Sequence, residues 1–394
     1  MSTSKPEIKV AELQHLQNRK SEKWRAFPRE ILPMPFAVMD FELAEPIKTA
    51  ITGLIQDSDA GYLGEIPELG ENFSAFASNR WGWKVKPKEV RVAPDVGVAV
   101  IEVARLISRP GDQIIINTPV YYNFFNWIRE IHCQALDIPL IAPTTVGDSY
   151  RLDLEKIESG YRDGAQVHIL CHPHNPVGSV YPVDDLLQLA DLAKRYGVTI
   201  LSDEIHSPLI YESERYKPFL SISDTAKDVG ISFVSATKAF SFAGLKCAQM
   251  ISQSDRTTAI LDRLPQAIHS RASLYGAIAS SVAYSECEPW LDAVIDYLDQ
   301  RRKQLETLVS EKLPGVRYAK PDAGYFGWLD LRGVIRDEEI DNVSQLMIEH
   351  GKIAVASGSL YGPSGRGFIR INFATSGEIL SEAVDRIARA LSQI

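Results

Sequence analysis

The chain reads first as a series of short apolar runs separated by amphipathic stretches. Gln113–Asn117 (QIIIN), Val167–Cys171 (VHILC), Val198–Ser202 (VTILS), Ile231–Ser235 (ISFVS) and Ala248–Ile251 are mostly apolar at consecutive positions. A strand buried on one face alternates apolar and polar residues. A run that is apolar throughout is buried on both faces, as in a parallel sheet covered by helices. Helical patterns lie between the runs, at about Gly97 to Ser108, from about Tyr121, and at Val183–Tyr196. Arg91–Pro94 (RVAP) reads as the end of one more strand. The pattern predicts an α/β fold with a mostly parallel sheet between helices. Ligands in such sheets sit beyond the carboxyl ends of the strands, so the residues just after each run are the ones to read for chemistry.

The pattern changes over the last hundred residues. A long helix is predicted from about Glu288 to Lys312, followed by β-like segments at Tyr325–Leu331, Ile353–Ala356 and Gly367–Phe373. An amphipathic helix then runs from Gly377 to the end. This predicts a smaller α+β domain of residues 288–394, joined by residues 1–45, beside a large domain of residues 46–287. A length of 394 residues suits that division at roughly 100–200 residues per domain.

Charge and cysteine content narrow the classes. Asp plus Glu number 51 against 42 Lys plus Arg, a net charge of −9. Such a chain has no broad positive field for nucleic acid or anionic lipid, so any anion must be held in a local pocket. The four cysteines are widely spaced and form no C-x-x-C pair, which points to a reduced, cytoplasmic setting. MSTSKPEIKV has no apolar core of a signal peptide, and no run of 18 apolar residues is present to span a membrane.

Five sets of residues follow the predicted strands. They are Lys238 within S-A-T-K (235–238), Asp203-Glu204-Ile205-His206, His172-Pro173-His174-Asn175-Pro176-Val177-Gly178, Pro94-Asp95-Val96-Gly97, and Thr118-Pro119-Val120-Tyr121. Each alone has an ordinary explanation. Lys238 could be a solvated lysine, Asp203 a helix cap, Asn-Pro a turn, and Arg370 in F-I-R-I-N-F a structural ion pair. Together they describe one chemistry. A lysine forms a Schiff base with an aldehyde cofactor. An aspartate keeps a pyridine nitrogen protonated, which makes the ring an electron sink. Asn175 can donate to a ring oxygen, and Tyr121 can stack on a ring face. The helix start at Gly97, with Ser235 and Lys246, suits a phosphate. That set points to pyridoxal 5′-phosphate.

The order N-P-x-G, D-E, S-x-x-K and a late arginine resembles the fold-type-I pyridoxal-phosphate enzymes of the class I/II aminotransferase superfamily, over essentially the whole chain. Within it the sequence is most similar to the MalY/PatB group of cystathionine β-lyase-like C–S lyases. P-H-N-P-V-G (173–178), D-E-I-H-S (203–207), S-A-T-K (235–238), A-G-L (243–245), L-P-M (32–34), M-D-F (39–41) and Gly61-Tyr62 carry the likeness. His206 is the discriminating residue, because aminotransferases of the superfamily usually have tyrosine there.

The resemblance implies an aspartate aminotransferase-like fold and a homodimer with its site at the subunit interface. It implies that Lys238 carries the cofactor and moves the α-proton, with Tyr62 and Tyr121 beside it as catalytic residues. Asp203 would face the ring nitrogen, Asn175 and His206 the ring oxygen, and Tyr121 the ring face. Val96 and Gly97 N–H groups, Ser235 and Lys246 would hold the phosphate, with Tyr62 reaching across from the neighbouring subunit. Arg370 would clamp the substrate carboxylate, with Asn175 and Val38 also toward substrate. Four positions depart from the group: Pro35 replaces a tryptophan, Val38 a carboxylate, Ser241 an asparagine and His172 an asparagine. The superfamily's phosphate arginine is Lys246 here.

The expected activity is C–S β-lysis of cystathionine or a cysteine S-conjugate, giving thiol, pyruvate and ammonia. An aminotransferase would share every cofactor residue, and a specialised enzyme acting on an unusual amino acid would fit the departures. His172, His174, Asp203 and His206 are also metal-ligand types, which leaves a metal hydrolase as a remote alternative. The glycines around Tyr361 suggest a loop that closes over substrate.

Overall fold

The computed structural model describes residues 5–144 and 148–393. Met1–Ser4, within the N-terminal stretch read above, and Ile394, where the last helical pattern ends, lie outside them.

The apolar runs form a seven-stranded sheet. Its order is Val90–Ala93, Ala248–Ile251, Gly230–Val234, Thr199–Asp203, Val167–Cys171, Gln113–Ile116 and Gln134–Asp137. Alternate residues serve opposite faces, because side chains along a strand point up and down in turn. Ile114, Ile116, Ile169 and Leu201 join the helix Val96–Ile107 in one core. Ile115, Leu170, Ile200 and Val234 join a larger core on the other side. Burial on both faces is why these strands lack polar alternation.

Two features of the sheet were not foreseen. Ala248–Ile251 runs antiparallel to both its neighbours. Only a short helix, Ala236–Ala239, and one 3-10 turn separate it from Gly230–Val234, so no long crossover helix returns the chain to parallel. Gln134–Asp137 is an edge strand with half its residues exposed, so it has no apolar run to announce it.

The C-terminal elements largely match the pattern. The helices are Glu288–Lys312, Val343–Gly351 and Gly377–Leu391. Phe326–Asp330 and Phe368–Asn372 pair antiparallel, flanked by Arg317–Tyr318 and Ala356–Ser357. The expected strand over 353–356 is instead two short ones that change partner at Val355, with Ile353–Ala354 pairing parallel to Leu32–Pro33. That pairing brings the N-terminal stretch beside the last hundred residues. A buried ion pair, Lys23 Nζ to Asp40 Oδ2 at 2.8 Å, pins it further. Lys23 also reaches Val38 O at 3.3 Å, and Trp24 Nε1 donates to Asp40 Oδ1 at 3.1 Å. Among the described residues no helix is long and apolar enough to cross a membrane.

Candidate active site

Five strand ends open on one edge of the sheet. Asp203 is the last residue of its strand. Lys238 lies in the short helix Ala236–Ala239, entered directly from Gly230–Val234. Asn175 lies in the turn after Val167–Cys171. That turn needs Gly178, whose φ is +68° and where a Cβ would stand 2.2 Å from Pro321. Val96 and Gly97 open the helix after Val90–Ala93, and Tyr121 precedes the helix Asn123–Glu130.

Lys238 and Asp203 face each other electrostatically. Burial lowers the Lys238 ammonium to about 8, with Arg370 and Lys246 adding to the effect and Asp203 and Asp95 opposing it. Its Nζ donates to Ala37 O at 3.1 Å. Burial raises the Asp203 carboxyl to about 7, against the pull of the Ile205 N–H and of Lys238. Burial disfavours whichever form is charged, so the two groups shift in opposite directions.

Arg370 closes the other side, at the centre of Phe368–Asn372. Its Nη1 donates to Asn175 Oδ1 at 3.0 Å and its Nη2 to Pro35 O at 2.6 Å. The guanidinium lies 3.9 Å from the Phe326 ring centroid and 5.1 Å from that of Tyr361. His206 is buried with its ring edge-on to Tyr325 and Phe326. Burial, then Lys238 and Arg370, hold it down to about 3, so it is neutral at ordinary pH. Tyr121 contacts Trp127 edge-on and accepts a hydrogen bond from Asn123 at its hydroxyl, at 2.6 Å. Burial pushes its phenol up.

The segment 35–39 crosses this cleft chiefly through its backbone. Asn372 donates to both Phe36 O and Val38 O at 2.7 Å, and Tyr325 OH donates to Ala37 O at 3.2 Å. Tyr325, Phe326 and Asn372 were not singled out from sequence, where they read as ordinary strand residues. Only the pairing of Phe326–Asp330 with Phe368–Asn372 brings them beside Arg370. Tyr361 was flagged by the glycines around it, and it packs on Arg370 with a buried hydroxyl that has no partner among the described residues.

The phosphate-type residues meet at the start of the helix Val96–Ile107. A Cβ on Gly97 would lie 3.0 Å from the Trp127 ring. Ser235 caps the Lys238 helix. Its hydroxyl donates to Cys247 O at 2.6 Å and accepts from Thr237 N–H at 3.2 Å. Lys246 Nζ pairs with Asp95 at 3.2 Å. Tyr62 stands apart from all of them and is 95% exposed.

The donor set fits pyridoxal 5′-phosphate. Asp203 is a buried carboxylate that accepts, among the described residues, a side-chain hydrogen bond only from Ile205 N–H, at 3.1 Å, which leaves it suited to a protonated ring nitrogen. His206 Nδ1 and Arg370 Nε are buried without partners among the described residues. Of the metal-type histidines, His174 has both ring nitrogens engaged and His172 one. His174 binds Tyr181 OH at 2.6 Å and Pro119 O at 2.8 Å, and His172 Nε2 binds Lys217 O at 3.1 Å. Among the described residues no three His, Cys, Asp or Glu side chains are grouped to hold a metal.

The family model "Aminotransferase class I and II" matches residues 41–387. The chain belongs to this family. A protein of Mycobacterium leprae provisionally assigned as a cystathionine beta-lyase is 36% identical, over 99% of each chain. Cystathionine beta-lyase PatB of Bacillus subtilis is 33% identical, over 92% of this chain and 93% of its own. Among solved structures, cystalysin from Treponema denticola, which contains pyridoxal 5′-phosphate, superposes with a TM-score of 0.88. It is 26% identical, over 96% of this chain and 97% of its own. The aminotransferase-like fold expected from the motifs is therefore the fold of this family member.

Proposed function

We propose that this protein is a pyridoxal-phosphate-dependent C–S β-lyase that cleaves cystathionine or a cysteine S-conjugate, with uptake of water, to thiol, pyruvate and ammonia. The observation that carries the reading is the convergence of Lys238, Asp203 and Arg370 on one buried cleft, in a chain similar end to end to cystathionine beta-lyases.

Lys238 would carry the cofactor, with Asp203 at the ring nitrogen, Asn175 and His206 at the ring oxygen, and Tyr121 on the ring face. Val96 and Gly97 N–H groups, Ser235 and Lys246 would hold the phosphate. When bound, the cofactor supplies an aldehyde for the substrate amine and a ring that draws electrons from the α-carbon. Arg370 orients the α-carboxylate through the donors left free by Asn175 and Pro35. Lys238, with its affinity for a proton lowered by burial, takes the α-proton, and the bond between the β-carbon and sulfur then breaks. Asp203 would be held toward the ring nitrogen by a strand that is buried along its whole length. His206 is neutral and adds no further positive charge beside Arg370. Val38 would lie toward substrate, on a segment whose backbone Asn372 holds.

The exposure of Tyr62 supports a homodimer in which it reaches the partner's phosphate. Four free cysteines support a reduced, cytoplasmic setting. The pairing of Leu32–Pro33 with Ile353–Ala354 supports grouping residues 1–45 and 288–394 beside a domain of residues 46–287.

Purified, cofactor-loaded protein is to be given L-cystathionine and a panel of cysteine S-conjugates with no keto acid. Catalytic release of pyruvate, ammonia and thiol is the expected result. Amino-group exchange only when a keto acid is supplied would instead make the protein an aminotransferase.

A further inference from the structure

Asp95 has no role in the reading above, yet it stands in the phosphate cradle. It caps the helix Val96–Ile107, and its Oδ1 accepts the Val98 N–H at 2.8 Å. Its Oδ2 accepts from Lys246 Nζ at 3.2 Å. Lys246 is the ammonium assigned to the phosphate. The Lys246 backbone is fixed nearby, with φ at +56° and its carbonyl accepting Ser273 N–H at 3.1 Å. A carboxylate at a helix start uses the same attractions as a phosphate, namely unpaired N–H groups and the positive end of the helix dipole. Neither side chain of the pair is sealed from solvent, with Lys246 58% and Asp95 39% exposed. The ammonium therefore has room to turn from one anion to the other.

We propose that Asp95 competes with the cofactor phosphate for Lys246, so that the protein holds its cofactor less tightly than the cradle alone would. The proposal rests on the cofactor reading of the preceding subsection. Lys246 must leave Asp95, or be shared with it, when the phosphate arrives. The carboxylate then remains as a like charge beside the phosphate. Both effects act on binding of the phosphate end and not on the chemistry at Lys238.

The test is cofactor affinity, measured on apoprotein by equilibrium dialysis and by the visible absorbance of lysine-bound cofactor. Asp95→Asn keeps a good helix cap while removing the charge. It is expected to tighten pyridoxal 5′-phosphate binding by about tenfold, the effect of one like charge removed at short range. Pyridoxal, which lacks the phosphate, should gain much less. Lys246→Gln should cost more affinity in the Asp95→Asn background than in the wild type, because Lys246 is undivided there. Unchanged or weaker binding in Asp95→Asn, an equal gain for pyridoxal, or equal costs of Lys246→Gln in the two backgrounds would each overturn the proposal. A wild-type protein that takes up no cofactor would overturn the cofactor reading itself, and this proposal with it.

Discussion

Replacing Arg370 with lysine separates its charge from its shape. The guanidinium has five N–H donors, of which one goes to Asn175 Oδ1 and one to Pro35 O. Nε is buried and unpaired among the described residues, and the remaining donors are those a carboxylate takes in a two-pronged contact. Lysine keeps the positive charge but has no planar fork. Loss of one charged hydrogen bond costs about 1.5–3 kcal/mol, which is roughly 10- to 150-fold in kcat/KM. The guanidinium contact over the Phe326 ring, at 3.9 Å, is lost as well. A carboxylate held equally in the ground and transition states puts the loss on KM, with kcat nearly kept. Pyruvate release is to be followed over a range of S-conjugate concentrations, with far-UV circular dichroism and cofactor absorbance confirming fold and loading. An unchanged kcat/KM in Arg370→Lys would refute the assignment of this residue to the substrate carboxylate.

Three further outcomes are expected. Lys238→Ala should abolish turnover while leaving the circular dichroism of the fold intact, and retained turnover would remove Lys238 from the mechanism. Asp40→Asn strands the buried Lys23 ammonium, so stability measured by urea denaturation should fall by about 3–5 kcal/mol. A loss too small to resolve would mean that Lys23 finds another partner. Denaturation of the apoprotein should show stability declining as pH drops from about 6.5 toward 4. His168, His172, His174 and His206 are held by burial at about 3 to 4, so they stay neutral in the fold while the unfolded chain protonates near 6.5. Buried Asp203 and Glu204, raised to about 7, oppose this because the fold keeps their protons, but they are two groups against four. A flat profile over that window would contradict the burial of these histidines.

The strands that hold the site were legible because they are buried on both faces and therefore unbroken by polar residues. Lys238, Asp203 and Asn175 could be found by reading one step past each such run. Gln134–Asp137 escaped because an edge strand with exposed residues loses that signature. The direction of Ala248–Ile251 escaped because an apolar run carries no record of whether its neighbours run parallel. Tyr325, Phe326 and Asn372 escaped for another reason. Their places beside Arg370 come from antiparallel register, in which Phe326 pairs with Asn372 and Trp328 with Arg370.

Sequence alone pointed to the local chemistry. Periodicity marked the elements, and the residue types after the apolar runs suggested an aldehyde-binding lysine and a ring-nitrogen carboxylate, while the carboxylate clamp at Arg370 came from the family resemblance. These follow from short-range rules, because a strand end and a helix start lie within a few residues of each other. The tertiary structure decided which groups share a cleft and in what charge state. Arg370 meets Asn175 across 195 positions, and Lys238 meets Ala37 across 201. The shifts of Lys238, Asp203 and His206 arise chiefly from desolvation, which exists only once the seven-stranded sheet, the strands Phe326–Asp330 and Phe368–Asn372 and the 35–39 segment have closed around them. The Asp95–Lys246 pair likewise joins residues 151 positions apart, and only the folded chain sets that carboxylate beside the ammonium.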